Sequence, residues 1–210
     1  MLMYPQLRRL PRNAIVVAVM TTLPALNACN TTRVARVNPA SVTDLSGRWN
    51  DADSRLVANA LITQSLGADW SKQWADAHGG RTPTVIVGGF ANRTLEHIPV
   101  ATFTRDLERA YVNSGAVRIV ASADERQGIR AERGDQQDNA LAGTRARVAM
   151  EQGAQFMLQG DVQAIEDAQG RERAVTYQVD ATLVDLESNA KIWVGQHRIK
   201  KVIDRRRVGW

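Results

Sequence analysis

Two carboxylates of this 210-residue chain, Asp161 and Asp180, could carry acid–base chemistry. Both fall in runs that read as neighbouring strands, so their side chains would meet across a sheet. No serine-nucleophile pattern of the G-x-S-x-G type occurs in the chain. A polar sheet surface explains the two aspartates better than catalysis does, so we predict no catalytic residue.

The residue spacings that a metal site or a nucleotide site requires do not occur in this sequence. His78, His97 and His197 fall in a helix end, a loop and a late strand, unlike the closely spaced ligands of a zinc site. Gly88-Gly89 follows a strand-like run, but neither G-x-G-x-x-G nor G-x-x-x-x-G-K-S/T is present. We therefore predict no cofactor and no metal.

The surface explanation depends on alternation along the last third of the chain. Apolar residues at every second position indicate the buried face of a sheet: Phe156, Leu158, Val162, Val175, Tyr177, Val179, Ala181 and Leu183. The intervening positions, and those of a third run, are polar. This face is either a solvated antiparallel surface or a docking surface for a protein partner. For docking, the candidate partner-binding residues are Gln159, Asp161, Gln178, Asp180, Gln196 and Arg198, with Arg198 as the favoured anchor.

Helices and buried strands alternate in the first half. An apolar stripe over residues 56–62 predicts a helix that Asp51 or Asp53 caps and that Gly67 interrupts. Two tryptophans four residues apart predict a short second helix ending at His78.

A strand–helix–strand unit follows. The β-branched run 84–87 predicts a buried strand before Gly88. Helical spacing from Phe103 to Tyr111 predicts a helix that ends at Gly115, and a second strand follows at 117–120. A unit of this length favours a parallel pair with a right-handed crossover. Ser122 to Glu125 has the spacing of a capping box and opens a highly charged stretch to about Asn139, and a further helix is predicted from about Leu141 to Gln152.

The final third changes to long strands. Runs at 156–166, 173–186 and 191–203 are joined by turns at Gly170 and 187–189, which predicts a meander. The fold class is therefore α/β (α+β): a single domain with a mixed sheet of about five strands, flanked by about four helices. The sheet is expected to end in an antiparallel three-strand meander.

Cys29 is the only cysteine, and it closes a segment unlike the rest of the chain. Residues 1–28 hold three arginines and no acidic residue, with an apolar run at 14–20, as in an export signal. The string Leu26-Asn27-Ala28-Cys29 resembles the bacterial lipobox, which implies cleavage before Cys29 and its acylation. Asn30 differs from the aspartate that retains lipoproteins in the inner membrane, so we expect anchoring at the outer membrane, facing the periplasm. The alternative is an ordinary secretory signal with a chance cysteine.

Charge argues against a nucleic-acid partner. The net charge of +5 falls to +2 once the three arginines of the signal are removed. The remaining basic excess lies in residues 200–207, which we expect to be a solvated terminus, with contact to anionic lipid or cell-wall polymer as the alternative. We divide the chain into a signal peptide (1–28), a lipidated cysteine with a short tether (29–44), a globular domain (45–203) and a basic tail (204–210).

Short strings over residues 45–203 are similar, in the same order, to those of one known family. The first is Gly47-Arg48-Trp49-Asn50-Asp51-Ala52-Asp53-Ser54-Arg55-Leu56-Val57. Others follow at 96–98, 106–110, 113–115, 133–137, 153–160, 177–180, 193–196 and 199–201. The chain thus resembles the LpoB family, outer-membrane lipoproteins that activate class A penicillin-binding proteins.

The resemblance implies a compact monomeric α/β domain without catalytic activity. Such a domain crosses openings in the peptidoglycan and docks on a bifunctional glycosyltransferase/transpeptidase of the inner membrane. The leading hypothesis is therefore a non-enzymatic lipoprotein that binds and stimulates this synthase. The tether departs from the family pattern, because only about 14 residues separate Cys29 from the domain. Fully extended, they reach on the order of 50 Å.

The short tether favours a second hypothesis from another class. A structural or assembly lipoprotein would use the same domain to bind another periplasmic or outer-membrane component, with no synthase partner. Related-looking domains of curli-secretion and Tol-system proteins are the precedent. A cell-wall hydrolase using Asp161 or Asp180 is the third hypothesis.

Overall fold

The computed structural model describes residues 34–204, which divide into two units. Residues 34–39 contain no helix or strand, and residues 40–204 contain all the elements named below. The predicted signal peptide, Cys29 and residues 205–210 of the predicted tail lie outside the described residues. Within residues 34–204, no helix combines the length and apolar character that a membrane span needs.

A mixed five-stranded sheet forms the centre of the described part of the second unit, residues 40–204. Its strands are β1 (Thr84–Asn92), β2 (Arg118–Ile119), β3 (Phe156–Gln169), β4 (Glu172–Asp185) and β5 (Lys191–Asp204). They lie in the order β2-β1-β3-β4-β5, with β1 parallel to both neighbours and β3 to β5 antiparallel. The predicted mixed sheet ending in a three-strand meander is confirmed.

Within residues 40–204, four helices accompany the sheet: α1 (Asp51–Leu66), α2 (Trp70–Ala77), α3 (Val100–Ser114) and α4 (Ala123–Asn139). α1 packs against α3 and β5, and α3 packs against β1 and β2, so these two helices cover one face of the sheet. Their buried residues join the inward residues of the strands in one core. The predicted inward set is confirmed as buried: Phe156, Leu158, Val162, Val175, Tyr177, Val179, Ala181 and Leu183.

The ends of the helices follow the sequence signals closely, with one correction. The predicted ends at Gly67, His78 and Gly115 are confirmed. Asn50 caps α1, so the prediction of Asp51 or Asp53 is wrong. The Asn50 side chain accepts from the backbone N–H of Asp53, and the Asp53 carboxylate accepts from the backbone N–H of Asn50. Asp53 is therefore the second half of a capping box, a role that an Asn–Asp pair fills less often than Ser–Glu.

The helix predicted over 141–152 does not form. The segment makes turns at 142–144 and 148–149 and is otherwise irregular, and Ala149 has a φ of 58°, which a right-handed helix excludes. Two glutamine side chains of α4 bond both backbone groups of Ala146, which a helix would pair internally. Val148 and Met150 are exposed, so the apolar spacing that predicted a helix has no surface to pack against.

The two parallel strands differ from the prediction in length. β1 continues past Gly88 to Asn92, because a register shift against β3 between Val87 and Phe90 accommodates the glycine pair. β2 comprises residues 118–119 and not 117–120. The parallel pairing of β1 with β2 is confirmed, over a shorter length.

Gly160 allows close packing at the centre of the sheet. It lies on the core side of β3, between the buried Leu158 and Val162. A Cβ at Gly160 would collide with the backbone carbonyl of Asp180 and approach the ring of Phe90 to 2.6 Å. Neither a strand backbone nor a buried ring can move away cheaply.

Replacement of Gly160 by alanine is expected to lower the free energy of unfolding by about 1–3 kcal/mol, because strand or ring must shift. Gly134→Ala is the matched control, since a Cβ in the middle of α4 meets nothing within 4 Å. It should raise the free energy of unfolding by roughly 0.5–1 kcal/mol. Urea unfolding followed by tryptophan fluorescence measures both, and equal midpoints would contradict the close packing.

Candidate partner-docking face

The polar face is the side of the meander opposite the core. We define it by the six predicted partner-binding residues: Gln159, Asp161, Gln178, Asp180, Gln196 and Arg198. Register places Asp161, Asp180 and Gln196 in one row across β3, β4 and β5. Gln178 and Arg198 lie opposite each other in the next row. The structure therefore brings the six residues together on one surface.

The polar face is accessible. Gln159, Gln196 and Arg198 are exposed, and Asp161, Gln178 and Asp180 are half-buried. Helices α1 and α3 occupy the opposite side of the sheet, where the core lies. The six side chains are thus a surface and not a buried polar network.

Hydrogen bonds order the centre of the polar face. Arg198 Nε donates to Gln178 Oε1 at 2.9 Å, and Gln178 Nε2 donates to Asp180 Oδ2 at 2.7 Å. Gln196 Nε2 donates to Asp180 Oδ1 at 2.8 Å, so both carboxylate oxygens of Asp180 have a donor. Side chains held in this way lose less conformational entropy when a partner binds.

Asp161 and Asp180 face each other across β3 and β4, as the sequence predicted. Asp161 Oδ1 accepts from Gln163 Nε2 at 2.9 Å, and Asp180 is held by two glutamines. A carboxylate held by amide donors acts as a hydrogen-bond acceptor, with lone pairs remaining for a partner. The arrangement is suited to recognising donor groups on another molecule.

Sequence reasoning missed the apolar residues that flank the polar face. Ile165, Val194 and Val202 have exposed fractions of 71%, 62% and 69%. Each lies two or four positions along its strand from a residue of the polar face. Because side chains alternate along a strand, all three point to the same side of the sheet as the polar face. Protein interfaces bury apolar area together with ordered polar groups. Continuing the alternation two residues beyond Gln163 would have found Ile165.

The prediction of a solvated basic terminus is wrong for Lys201, whose side chain is buried and paired. Its Nζ lies 2.6 Å from Asp44 Oδ1 and 2.7 Å from Asp53 Oδ2, and only 9% of its side chain is exposed. It also donates to the backbone carbonyl of Arg48 at 3.0 Å. Alternation directs Lys201 to the core side of β5, whereas Lys200 remains exposed on the other side.

The ion pairs of Lys201 have a defined pH range. Burial opposes the charge of Lys201, but the hydrogen bonds that it donates to Asp44 and Asp53 outweigh burial and raise its pKa. The same bond lowers the pKa of Asp44. The ion pairs therefore contribute their full stabilisation between pH 3.8 and pH 10.5, the ordinary pKa values of an aspartate and a lysine side chain. It is lost as pH falls through the folded-state pKa of Asp44, or rises through that of Lys201.

Glu96 and Tyr177 bind the segment that precedes α1, residues 44–50, on the core side of the sheet. The Tyr177 hydroxyl donates to Glu96 Oε1 at 2.8 Å, and the backbone N–H of Trp49 donates to Glu96 Oε2 at 3.2 Å. The Trp49 ring meets Tyr177 edge-on, with ring centroids 5.5 Å apart. Burial, and then the bond to Glu96, raises the pKa of Tyr177, so its hydroxyl stays protonated. Residues 44–50 are thus fixed against β4 and β5.

Lys201→Met is expected to lower the free energy of unfolding at neutral pH on the order of 3 kcal/mol, because Asp53 stays buried without its cation. Lys200→Met is the matched control on the exposed side and should change it by less than about 0.5 kcal/mol. The difference between native protein and Lys201→Met should shrink below pH 3.8 and above pH 10.5. Denaturant unfolding across this range would contradict an ionic origin if the difference were constant.

The fold and the polar face define a class: a small α+β domain with one sheet face covered by helices and the other open. The family model of the peptidoglycan-synthase activator LpoB matches residues 53–199, more than half of the chain. The chain therefore belongs to the LpoB family, as the resemblance of its local strings predicted.

Solved structures resemble the chain at low identity. The C-terminal domain of LpoB from Salmonella enterica is 18% identical over 70% of this chain and 98% of that chain, with a TM-score of 0.38. The NMR structure of Escherichia coli LpoB is 20% identical over 96% and 91%, with a TM-score of 0.38. Lipoprotein GNA1162 from Neisseria meningitidis is 15% identical over 60% and 88%, with a TM-score of 0.36. A comparison with curated proteins finds no match. Family membership rests on the family model alone.

Proposed function

We propose that this chain is an outer-membrane lipoprotein that binds and stimulates a bifunctional class A penicillin-binding protein and has no catalytic activity of its own. The observation that carries the proposal is the match of residues 53–199 to a family of peptidoglycan-synthase activators. In this account the synthase supplies the glycosyltransferase and transpeptidase chemistry. The chain, acting as a monomer, supplies a binding surface.

We propose the polar face as that surface. Its accessibility, its ordered hydrogen bonds and the flanking Ile165 and Val194 support this role. Arg198 is the proposed anchor, because its bond to Gln178 uses Nε and neither Nη group has a partner within residues 34–204. Arginine is among the residues that most often carry the binding energy of interfaces.

Stimulation by a binding domain requires a difference in affinity. A ligand shifts a conformational equilibrium only as far as it binds one state more tightly than the other. The chain would therefore bind the active conformation of the synthase more tightly than the inactive one. A tenfold preference corresponds to about 1.4 kcal/mol, which one or two interface contacts can supply.

The activator role is tested by glycan-strand polymerisation with the cognate class A synthase, with and without the mature chain carrying Cys29→Ala. We expect a higher polymerisation rate, and a loss of more than about 1 kcal/mol of binding free energy on Arg198→Ala or Asp180→Ala. Arg171→Ala, at an exposed turn residue, is the matched control. Unchanged thermal unfolding of the variants separates a lost contact from a lost fold. No effect on rate or binding would exclude the activator role.

Anchoring through Cys29 is tested separately. Cys29→Ala is expected to leave the protein without acyl chains and to release it from the outer-membrane fraction. Each buried CH₂ contributes roughly 0.8 kcal/mol, so several acyl chains give stable attachment. Salt-washed membrane fractions measure the distribution, and a variant that stays with the outer membrane would show that another contact holds it.

The short tether favours one other function, an assembly lipoprotein that binds a different envelope component. About 14 residues reach on the order of 50 Å, so docking on an inner-membrane synthase would depend on the length of the domain itself or on the synthase extending outward. A pull-down from solubilised envelopes discriminates the two functions. The activator captures a penicillin-labelled protein, and the assembly lipoprotein does not.

A further inference from the structure

A cavity away from the polar face lies between α2 and the turn that joins β4 to β5. Its volume is about 520 Å³, and its walls include Trp74, His78, Arg81, Gln155, Asp185 and Glu187. Small-molecule sites typically have volumes of roughly 300–1,000 Å³. Asp185 follows Asp180 by five residues on β4, a separation of about 17 Å along an extended strand. Both sites could therefore be occupied at once.

An ordered aromatic pair forms one wall of this cavity. The rings of Trp74 and His78 are stacked, with centroids 4.1 Å apart and planes inclined by 11°. His78 Nδ1 is hydrogen-bonded to the Trp74 carbonyl at 2.7 Å, and the Trp74 ring meets Phe156 of the core edge-on. Backbone and core thus hold both rings in place before any ligand arrives. A rigid aromatic wall can pack against the C–H face of a sugar ring.

Polar side chains with unused hydrogen-bonding groups complete the walls. Arg81 Nε donates to the His78 carbonyl, and Gln155 Oε1 accepts from the backbone N–H of Thr84. These bonds orient the Arg81 Nη groups and the Gln155 Nε2, which have no partner within residues 34–204.

The acceptors are arranged in the same way. Asp185 Oδ1 accepts from Ser188 and from the backbone N–H of Glu187. Within the described part of the chain, Asp185 Oδ2 and the Glu187 carboxylate have no partner. The backbone N–H of Ser188 lowers the pKa of Asp185, which keeps it an acceptor at neutral pH.

We propose that this cavity binds an uncharged N-acetylated amino sugar, the kind of unit from which peptidoglycan glycan strands are built. The aromatic pair would contact the apolar face of the sugar ring. Arg81 and Gln155 would donate to the acetamido carbonyl, and Asp185 and Glu187 would accept from hydroxyl groups. Two carboxylates against one guanidinium disfavour an anionic ligand. The site would hold the domain beside the wall polymer that its partner extends.

The test is a titration of the isotope-labelled mature chain carrying Cys29→Ala with N,N′-diacetylchitobiose, followed by NMR. We expect saturable shifts of the Trp74 indole and of amides around Arg81 and Glu187, with a dissociation constant in the millimolar range. Maltose, which lacks acetamido groups, should bind about tenfold more weakly, because the Arg81 and Gln155 donors lose their acceptor. No synthase is present, so this result is independent of the activator role.

Variants locate the binding. Arg81→Ala should weaken diacetylchitobiose binding about tenfold. Arg171→Ala, at the opposite end of β4, should leave it unchanged. Trp74→Phe keeps an aromatic ring against Phe156 and should weaken binding without unfolding the protein. The proposal is overturned if the folded native chain shows no saturable shift, if the shifts lie outside the cavity, if maltose binds equally well, or if Arg81→Ala binds as tightly as native protein.

Discussion

The three long strands of the meander stay in antiparallel register over almost their whole length, and this alternation governs the rest of the structure. One set of side chains, from Phe156 to Leu183, is buried under α1 and α3. Because strand period is two, the complementary set must lie together on the other side. A one-residue slip would move polar side chains into the core, so the stability of the core also specifies the polar face. Gly160 permits the close approach that keeps this register.

Ion pairs hold the segment before α1, residues 44–50, against β5 of the same sheet. Lys201 lies on the core side of β5 and binds Asp44 and Asp53, while the Glu96 carboxylate joins Tyr177 to Trp49. The point where the chain enters the domain is therefore fixed relative to the meander. Asp53 serves both the cap of α1 and the ion pair, so one side chain couples helix start, strand end and entry segment.

Sequence reasoning succeeded where the pattern was local and long. Fourteen-residue strands carry enough alternations to predict the meander and the polar face, and glycine ends predicted helix limits at Gly67 and Gly115. It failed where the outcome depends on distant partners. Leu141 to Gln152 has helical spacing but no surface to pack on. Lys201 lies in a basic run and is nevertheless paired, because its partners are about 150 residues away in sequence. The Glu96–Tyr177 bond spans 81 residues and leaves no local pattern.

We propose that the open, polar side of the meander is the surface that meets a class A synthase. This is tested by amide and side-chain NMR shifts of the labelled mature chain carrying Cys29→Ala, recorded while the cognate synthase is added. We expect changes concentrated on Gln159, Asp161, Gln178, Asp180, Gln196 and Arg198, extending to Ile165 and Val194, with core residues such as Val179 little affected. Changes confined to α2 or α4, with the polar face unperturbed, would contradict it.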